Sequence, residues 1–248
     1  MRGTSHLPAI RGNTVQALRA AHRQGIAHVE VDLYLTRDDV LLTTHEPGVA
    51  GCGDVRAMNS APVLGCRAKG GLRVATLGEV LEIPFESIYL DLKETKRLER
   101  AERAVRAAAR AIVAAGREDD AVMMVYQAPE PVLRIIRRHS LRAGLKGYPT
   151  SRQEAELVVH QASALGLEMA CLKAQQLTAE LVRDSIDLGV WHLPWSVNPD
   201  ELPHWRQLAE AGAGGLIVLH YAAARDQVAP HWVDRWRLRR SGEADQGT

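Results

Sequence analysis

An α/β barrel of eight strand–helix units is the architecture this chain predicts, and three observations carry the prediction. Strand-like and helix-like patterns alternate from end to end, the chain is 248 residues long, and glycines punctuate the connections from Gly116 onward. Alternating strands and helices favour a parallel sheet with helices packed outside it, and eight such units in about 240 residues suit a TIM barrel. A doubly wound sheet would want a glycine-rich turn after an early strand, and none is present. Strands are expected to end near positions 6, 35, 93, 127, 147, 173, 195 and 219, all in one domain over 1–236, with a solvated tail over 237–248.

The elements follow in order. Residues 1–5 supply a short strand that ends at His6. Asn13 and Thr14 read as N-cap residues for a helix over 14–24, where Val15, Leu18 and Ala21 fall at helical spacing before Gly25. His28 to Leu35 then alternates strictly. Val29, Val31, Leu33 and Leu35 lie on one face, and Glu30, Asp32 and Tyr34 on the other. Thr36 to Asp39 reads as a turn, and Val40 to Thr44 as a return strand. A turn centred on Arg37 and Asp38 makes paired positions sum to 75, which sets His45 opposite Glu30 and gathers Glu30, Asp32 and His45 on one face. Three such side chains together suit a metal-plus-acid site.

Residues 46–73 are rich in Gly, Pro, Ser, Ala and Cys and read as one long loop, a kind that is usually functional. Thr76 caps a short helix to Leu81, with Glu79 three residues later completing a capping box. Ile88 to Lys93 repeats the first strand's design: Ile88, Leu90 and Leu92 face one way, Tyr89, Asp91 and Lys93 the other. A long Ala- and Arg-rich helix over 95–115 closes at Gly116. Strand Ala121 to Gln127 and helix Glu130 to His139 follow, and Met123 and Met124 read as core. Strands over 142–147 and 168–173 flank a helix near 151–165. Helix 178–188, strand 190–195, helix 200–211 and strand 215–219 complete the series. Active sites of such barrels sit at the C-terminal ends of the strands, which is where His6, Asp32, Asp91, Lys93, Tyr126, Lys173 and Trp195 fall. His192 and His220 also lie near strand ends and are read as packing or solvent-facing residues.

Composition limits the function classes. Thirty-one basic residues against thirty acidic ones leave a net charge of +1, which argues against a general nucleic-acid binder. No apolar run of eighteen residues and no charged-then-apolar leader is present, so no transmembrane segment is expected and the cytoplasm is the default location. Cys52, Cys66 and Cys171 lack CxxC spacing; a structural zinc is not expected, and a Cys52–Cys66 bridge is permitted but not demanded. No feature specifies an oligomer.

The order His6, Asn13-Thr14, Glu30-x-Asp32, Thr36-x-Asp38, His45, Thr76-Leu77-x-Glu79-Val80-Leu81, Asp91-x-Lys93 and Trp195-Ser196-Val197-Asn198 resembles the glycerophosphodiester phosphodiesterase family, from His6 to about Tyr221. The resemblance implies a metal-dependent phosphodiesterase that hydrolyses a small-molecule or lipid-derived phosphodiester to an alcohol and a phosphomonoester. A cyclic phosphate forms on the way if a neighbouring substrate hydroxyl attacks first. It makes Glu30, Asp32 and Asp91 ligands of one divalent cation, and three carboxylates without a cysteine suit Mg²⁺ or Ca²⁺. It makes His6 the base and His45 the acid, adds Lys93 as a positive charge for the phosphate, and places Trp195 in the pocket wall. Tyr126 and Lys173 are substrate-pocket candidates by position.

The chain departs from the family pattern in four places. Leu7-Pro8 follow the first histidine where the family has Arg-Gly, and Arg11 is the nearest replacement for that arginine. Arg11-Gly12-Asn13-Thr14 stands for Pro-Glu-Asn-Thr. Asp91 stands for the commoner Glu, and, with the shortened first loop, resembles the sphingomyelinase D-like phospholipases of the same superfamily. Leu219-His220 replaces a Thr-Asp. The alternatives are therefore a sphingomyelinase D-like phospholipase or lyase on lipid phosphodiesters, and a non-catalytic barrel that keeps the metal site.

Overall fold

The computed structural model of the protein describes residues 13–49, 52–66, 71–93, 97–196 and 199–218. The expected strand ending at His6, together with Arg11, Asn198, His220 and the 237–248 tail, lies outside the described residues. The chain divides into two compact units, Met1–Lys146 and Gly147–Thr248.

The first unit opens with helix α1 (Val15–Arg23), capped by the Thr14 hydroxyl, which accepts from the Ala17 N–H. Five strands follow in one sheet: β1 (His28–Leu35), β2 (Leu41–Thr43), β5 (Ser87–Leu92), β6 (Ala121–Tyr126) and β7 (Arg142–Lys146). Their order is β2–β1–β5–β6–β7, with β2 antiparallel and the others parallel. Almost every residue of β1 and all of β5 are buried, as in a parallel sheet covered on both faces. Helix α3 (Leu77–Leu81) carries the expected capping box between Thr76 and Glu79. Helix α4 (Leu98–Ala115) turns Ala101, Ala104, Val105, Ala108 and Ile112 inward and packs on β1, β2 and β5. It stops at Gly116, whose φ of +61° is one that side chains resist. Helix α5 (Glu130–Arg138) then lies beside α4.

Two expectations need correction here. The β1–β2 register pairs Leu33 with Thr43 and Leu35 with Leu41, so paired positions sum to 76 rather than 75. The turn holds three residues, because Thr36 donates its N–H to the Val40 carbonyl and Asp39 takes a left-handed φ of +60°. A slip of one residue exchanges the faces, and β2 ends at Thr43, so His45 is not set opposite Glu30. Nor is 46–73 one long loop. It contains a small hairpin of β3 (Gly48–Val49) and β4 (Gly53–Asp54), a 3₁₀ turn at Val55–Ala57 and helix α2 (Ser60–Gly65). Val55 and Val63 join Leu42 and Val74 in a buried cluster, and a Cys52–Cys66 disulfide closes the segment. Asp38 fastens it to the hairpin turn by accepting from the Ser60 N–H and hydroxyl, each at 2.8 Å.

The second unit alternates helix α6 (Arg152–Ala164), strand β8 (Met169–Cys171), helix α7 (Ala179–Asp187), strands β9 (Trp191–His192) and β10 (Trp195–Ser196), helix α8 (Leu202–Glu210) and strand β11 (Ile217–Val218). The strand expected over 190–195 is split at Leu193-Pro194. β9 pairs with β8 and β10 with β11, and Pro194 has no N–H with which to continue a ladder. Gly214 is required by close approach: a Cβ there would stand 2.4 Å from the Trp191 ring.

Candidate active site

Parallel pairing of β1 with β5 sets Asp32 beside Asp91 in one row, and Glu30 lies one pleat earlier on the same face. Their exposures are 4% for Glu30, 1% for Asp32 and 2% for Asp91, and one oxygen from each lies within 4.8 Å of the other two. Carboxylates on a strand face are ordinarily solvated. Buried ones demand compensation, and the neighbouring residues supply part of it.

Lys93, just past the end of β5, places its Nζ 2.5 Å from Asp32 Oδ1 and also pairs with Asp91. Lys146, the last residue of β7, pairs with the same Asp91 oxygen. Asn13 clamps Asp32 twice. Its Nδ2 donates to Asp32 Oδ2 at 2.7 Å, and its Oδ1 accepts from the Asp32 N–H at 3.2 Å. Thr43 on β2 holds Asn13 in turn, donating its hydroxyl to the Asn13 carbonyl at 2.8 Å. Asn13 sits at φ +61°, a region that asparagine tolerates better than most residues.

Burial, and then the negative charge of Asp32, push the Glu30 carboxyl up to about 8. Burial works against the charge on Lys93, but the carboxylates of Asp91 and Asp32 outweigh it and hold the ammonium above its ordinary range. Two lysines thus do not offset a third negative charge, and Glu30 gives up its charge for want of another cation. Three buried carboxylates converging there form the all-oxygen donor set that suits a hard divalent cation.

The other expected site residues are placed unevenly. His45 lies two residues past β2, exposed, with Nδ1 3.0 Å from Glu46 Oε1. Tyr126 ends β6 and pairs in register with Lys146. Lys173 and Trp195 belong to the second unit, where they form a β-bridge and the lysine Nζ lies 6.0 Å from the indole centroid. Trp195 Nε1 is buried without a hydrogen-bond partner among the described residues. His6 and Arg11 lie outside the described residues. Sequence reasoning missed two members. The sequence pattern offers Asn13 as a helix cap together with Thr14, whereas Thr14 caps and Asn13 orients Asp32. Lys146 ends its strand much as Lys93 follows its own, a position that could have flagged it.

The sequence profile of the Glycerophosphoryl diester phosphodiesterase family matches residues 2–221. Among solved structures, one from Silicibacter pomeroyi assigned to the glycerophosphoryl diester phosphodiesterases has a TM-score of 0.75 at 18% identity, covering 90% of each chain. A glycerophosphodiester phosphodiesterase from Parabacteroides distasonis has a TM-score of 0.74 at 17% identity, covering 92% of this chain and 95% of its own. A phosphodiesterase from Oleispira antarctica, solved with the product sn-glycerol-3-phosphate, has a TM-score of 0.71 at 18% identity, covering 92% and 94%. No curated protein matches. At these identities the likeness establishes the fold, an α/β TIM barrel, as the strand–helix alternation predicts.

Proposed function

Because the chain belongs to the glycerophosphoryl diester phosphodiesterase family, and so is a phosphodiester hydrolase, we propose that it cleaves a glycerophosphodiester-like substrate to an alcohol and a phosphomonoester at the Glu30–Asp32–Asp91 cluster. The observation that carries this reading is the convergence of three carboxylates, each at most 4% exposed, beside Lys93. The product held by the Oleispira antarctica relative supports a glycerol-linked phosphate as substrate. The reading treats 1–236 as one barrel domain, with 237–248 as a tail.

Glu30, Asp32 and Asp91 would hold one divalent cation, Mg²⁺ or Ca²⁺, which when bound supplies positive charge to a nonbridging phosphate oxygen. Lys93, already charged and anchored on two of those carboxylates, adds a fixed cation beside the same oxygens. His6 takes the proton of the attacking hydroxyl as its oxygen bonds to phosphorus, and His45 gives a proton to the departing alkoxide as the old P–O bond breaks. Where the attacking hydroxyl belongs to the substrate, the first product is a cyclic phosphate, which water then opens. The exposure of His45 leaves it accessible to a substrate arriving from solvent. Arg11, Tyr126 and Lys173 are assigned to the substrate's phosphate and polar groups, and Trp195 to the alcohol.

The test is hydrolysis of glycerophosphocholine and bis(p-nitrophenyl) phosphate, with and without Mg²⁺ or Ca²⁺, by wild type, His45→Ala and Asp32→Asn. Cation-dependent turnover that falls roughly 100-fold or more in both variants is expected. Turnover indifferent to chelator, or to Asp32→Asn, would overturn the site.

A further inference from the structure

We propose that Lys146 sets the charge balance of this site: it weakens the cluster's hold on the cation and strengthens its hold on the anionic diester. The proposal rests on the reading above and deepens it. Lys146 stands two strands away from β5, on β7, with its side chain only 11% exposed and its ammonium on Asp91. The register explains how it gets there. Asp91 pairs with Met124 and Met124 with Gly144, so the row that carries the carboxylates reaches β7 at a residue without a side chain. Lys146 lies one pleat beyond on the same face, beside Tyr126, and its long side chain enters the space above that row.

A lysine is not required there to neutralise Asp91, because Lys93 already bridges Asp91 and Asp32. Placing a second ammonium in a largely buried position costs desolvation that an aliphatic residue would avoid. What it changes is the sum of charge. With a divalent cation bound and all three carboxylates ionised against the two ammoniums, the loaded pocket carries one positive charge. A phosphodiester carries one negative charge, so the loaded pocket and its substrate are matched. Without Lys146 the empty pocket is one charge more negative and binds a cation more avidly. The loaded pocket is then neutral and attracts the diester less. Removing the lysine therefore moves the two affinities in opposite directions, whereas loss of a merely structural tie between β7 and β5 would weaken both.

The experiment compares wild type, Lys146→Gln and Lys146→Arg by calorimetric titration with MgCl₂ and CaCl₂ in the absence of substrate, and by kinetics on glycerophosphocholine at saturating cation. Lys146→Gln is expected to bind the cation about tenfold more tightly and to raise KM for the diester about tenfold, effects of the size one nearby charge exerts at a partly buried site. Lys146→Arg keeps the charge and should return both quantities towards wild type, which also guards against a Gln variant that is simply misfolded. Cation affinity unchanged or weaker in Lys146→Gln, with wild-type binding that Asp32→Asn abolishes, would overturn the Lys146 assignment and leave the active site standing. No cation binding by wild type would overturn both.

Discussion

Asn13 is one residue doing two jobs for one neighbour: its carboxamide donates to the Asp32 carboxylate and accepts from the Asp32 backbone N–H. An aspartate held at both ends cannot rotate away from the cluster, and groups that orient a ligand in this manner are commonly worth 10–100-fold in metal affinity, so Asn13→Ala should weaken Mg²⁺ or Ca²⁺ binding by about that factor. A calorimetric titration of the variant checks this, and unchanged affinity would reduce Asn13 to a packing residue. His192 makes a different demand on its surroundings. It is completely buried on β9, neither ring nitrogen has a hydrogen-bond partner among the described residues, and burial pushes its pKa down to about 4. The unfolded chain then binds more protons than the folded one between pH 6.5 and 4, so stability falls as pH drops through that window. At pH 5 this one group costs about 2 kcal/mol relative to pH 8. Urea unfolding at the two pH values should show that loss in wild type, and His192→Leu should be less acid-sensitive by the same amount. Equal sensitivity in both would place the proton elsewhere.

Among the elements, the segment between β2 and α3 is the one whose structure least resembles its sequence pattern. Its two short strands, 3₁₀ turn and short helix are held by Val55 and Val63 in a small apolar cluster, by Asp38 on Ser60, and by the Cys52–Cys66 bridge. The bridge closes a loop of 14 residues, and the chain-entropy argument assigns about 3 kcal/mol to a loop of that size. Cys52→Ser with Cys66→Ser should lower the stability of the first unit by about that amount in urea, and dithiothreitol should reproduce the effect in the unmutated chain. No change in either case would mean that the packing alone holds the segment. The alternation in β1 and β5 was legible because period two with Val, Ile and Leu has few other readings, and the capping box at Thr76 and the stop at Gly116 followed from local chemistry. The hairpin register was not. Asp38 and Asp39 are both tolerable in a turn, and which of them takes the left-handed position is settled by hydrogen bonds from Thr36, Val40 and Ser60. Lys146 was legible only as a strand-end lysine, because such a residue becomes part of a site through the register of two intervening pairings.

Across the whole molecule the net charge is only +1, and no helix among the described residues is long and apolar enough to cross a membrane, so attraction for an anionic substrate must come from local fields rather than from the chain's total charge. The Glu30, Asp32 and Asp91 cluster can attract an anion only once a cation is bound, because folding brings its carboxylates together away from water and raises Glu30 to about 8. A cation that binds the folded cluster and not the unfolded chain relieves that repulsion and stabilises the fold by mass action, by about 2.7 kcal/mol at one hundred times its Kd. For a chain of this size 1 kcal/mol moves Tm by about 2–4 °C, so saturating Mg²⁺ or Ca²⁺ should raise Tm by roughly 5–10 °C over the chelated protein. All three carboxylates belong to Met1–Lys146, so if the two units melt separately the shift should appear in the transition of that unit alone. Circular dichroism melts with EDTA and with added cation, on wild type and Asp32→Asn, decide the matter. A shift in wild type that Asp32→Asn abolishes ties stability to the cluster; equal shifts in both proteins would put the ion at another site, and no shift in wild type would mean that the lysines already satisfy the carboxylates on their own.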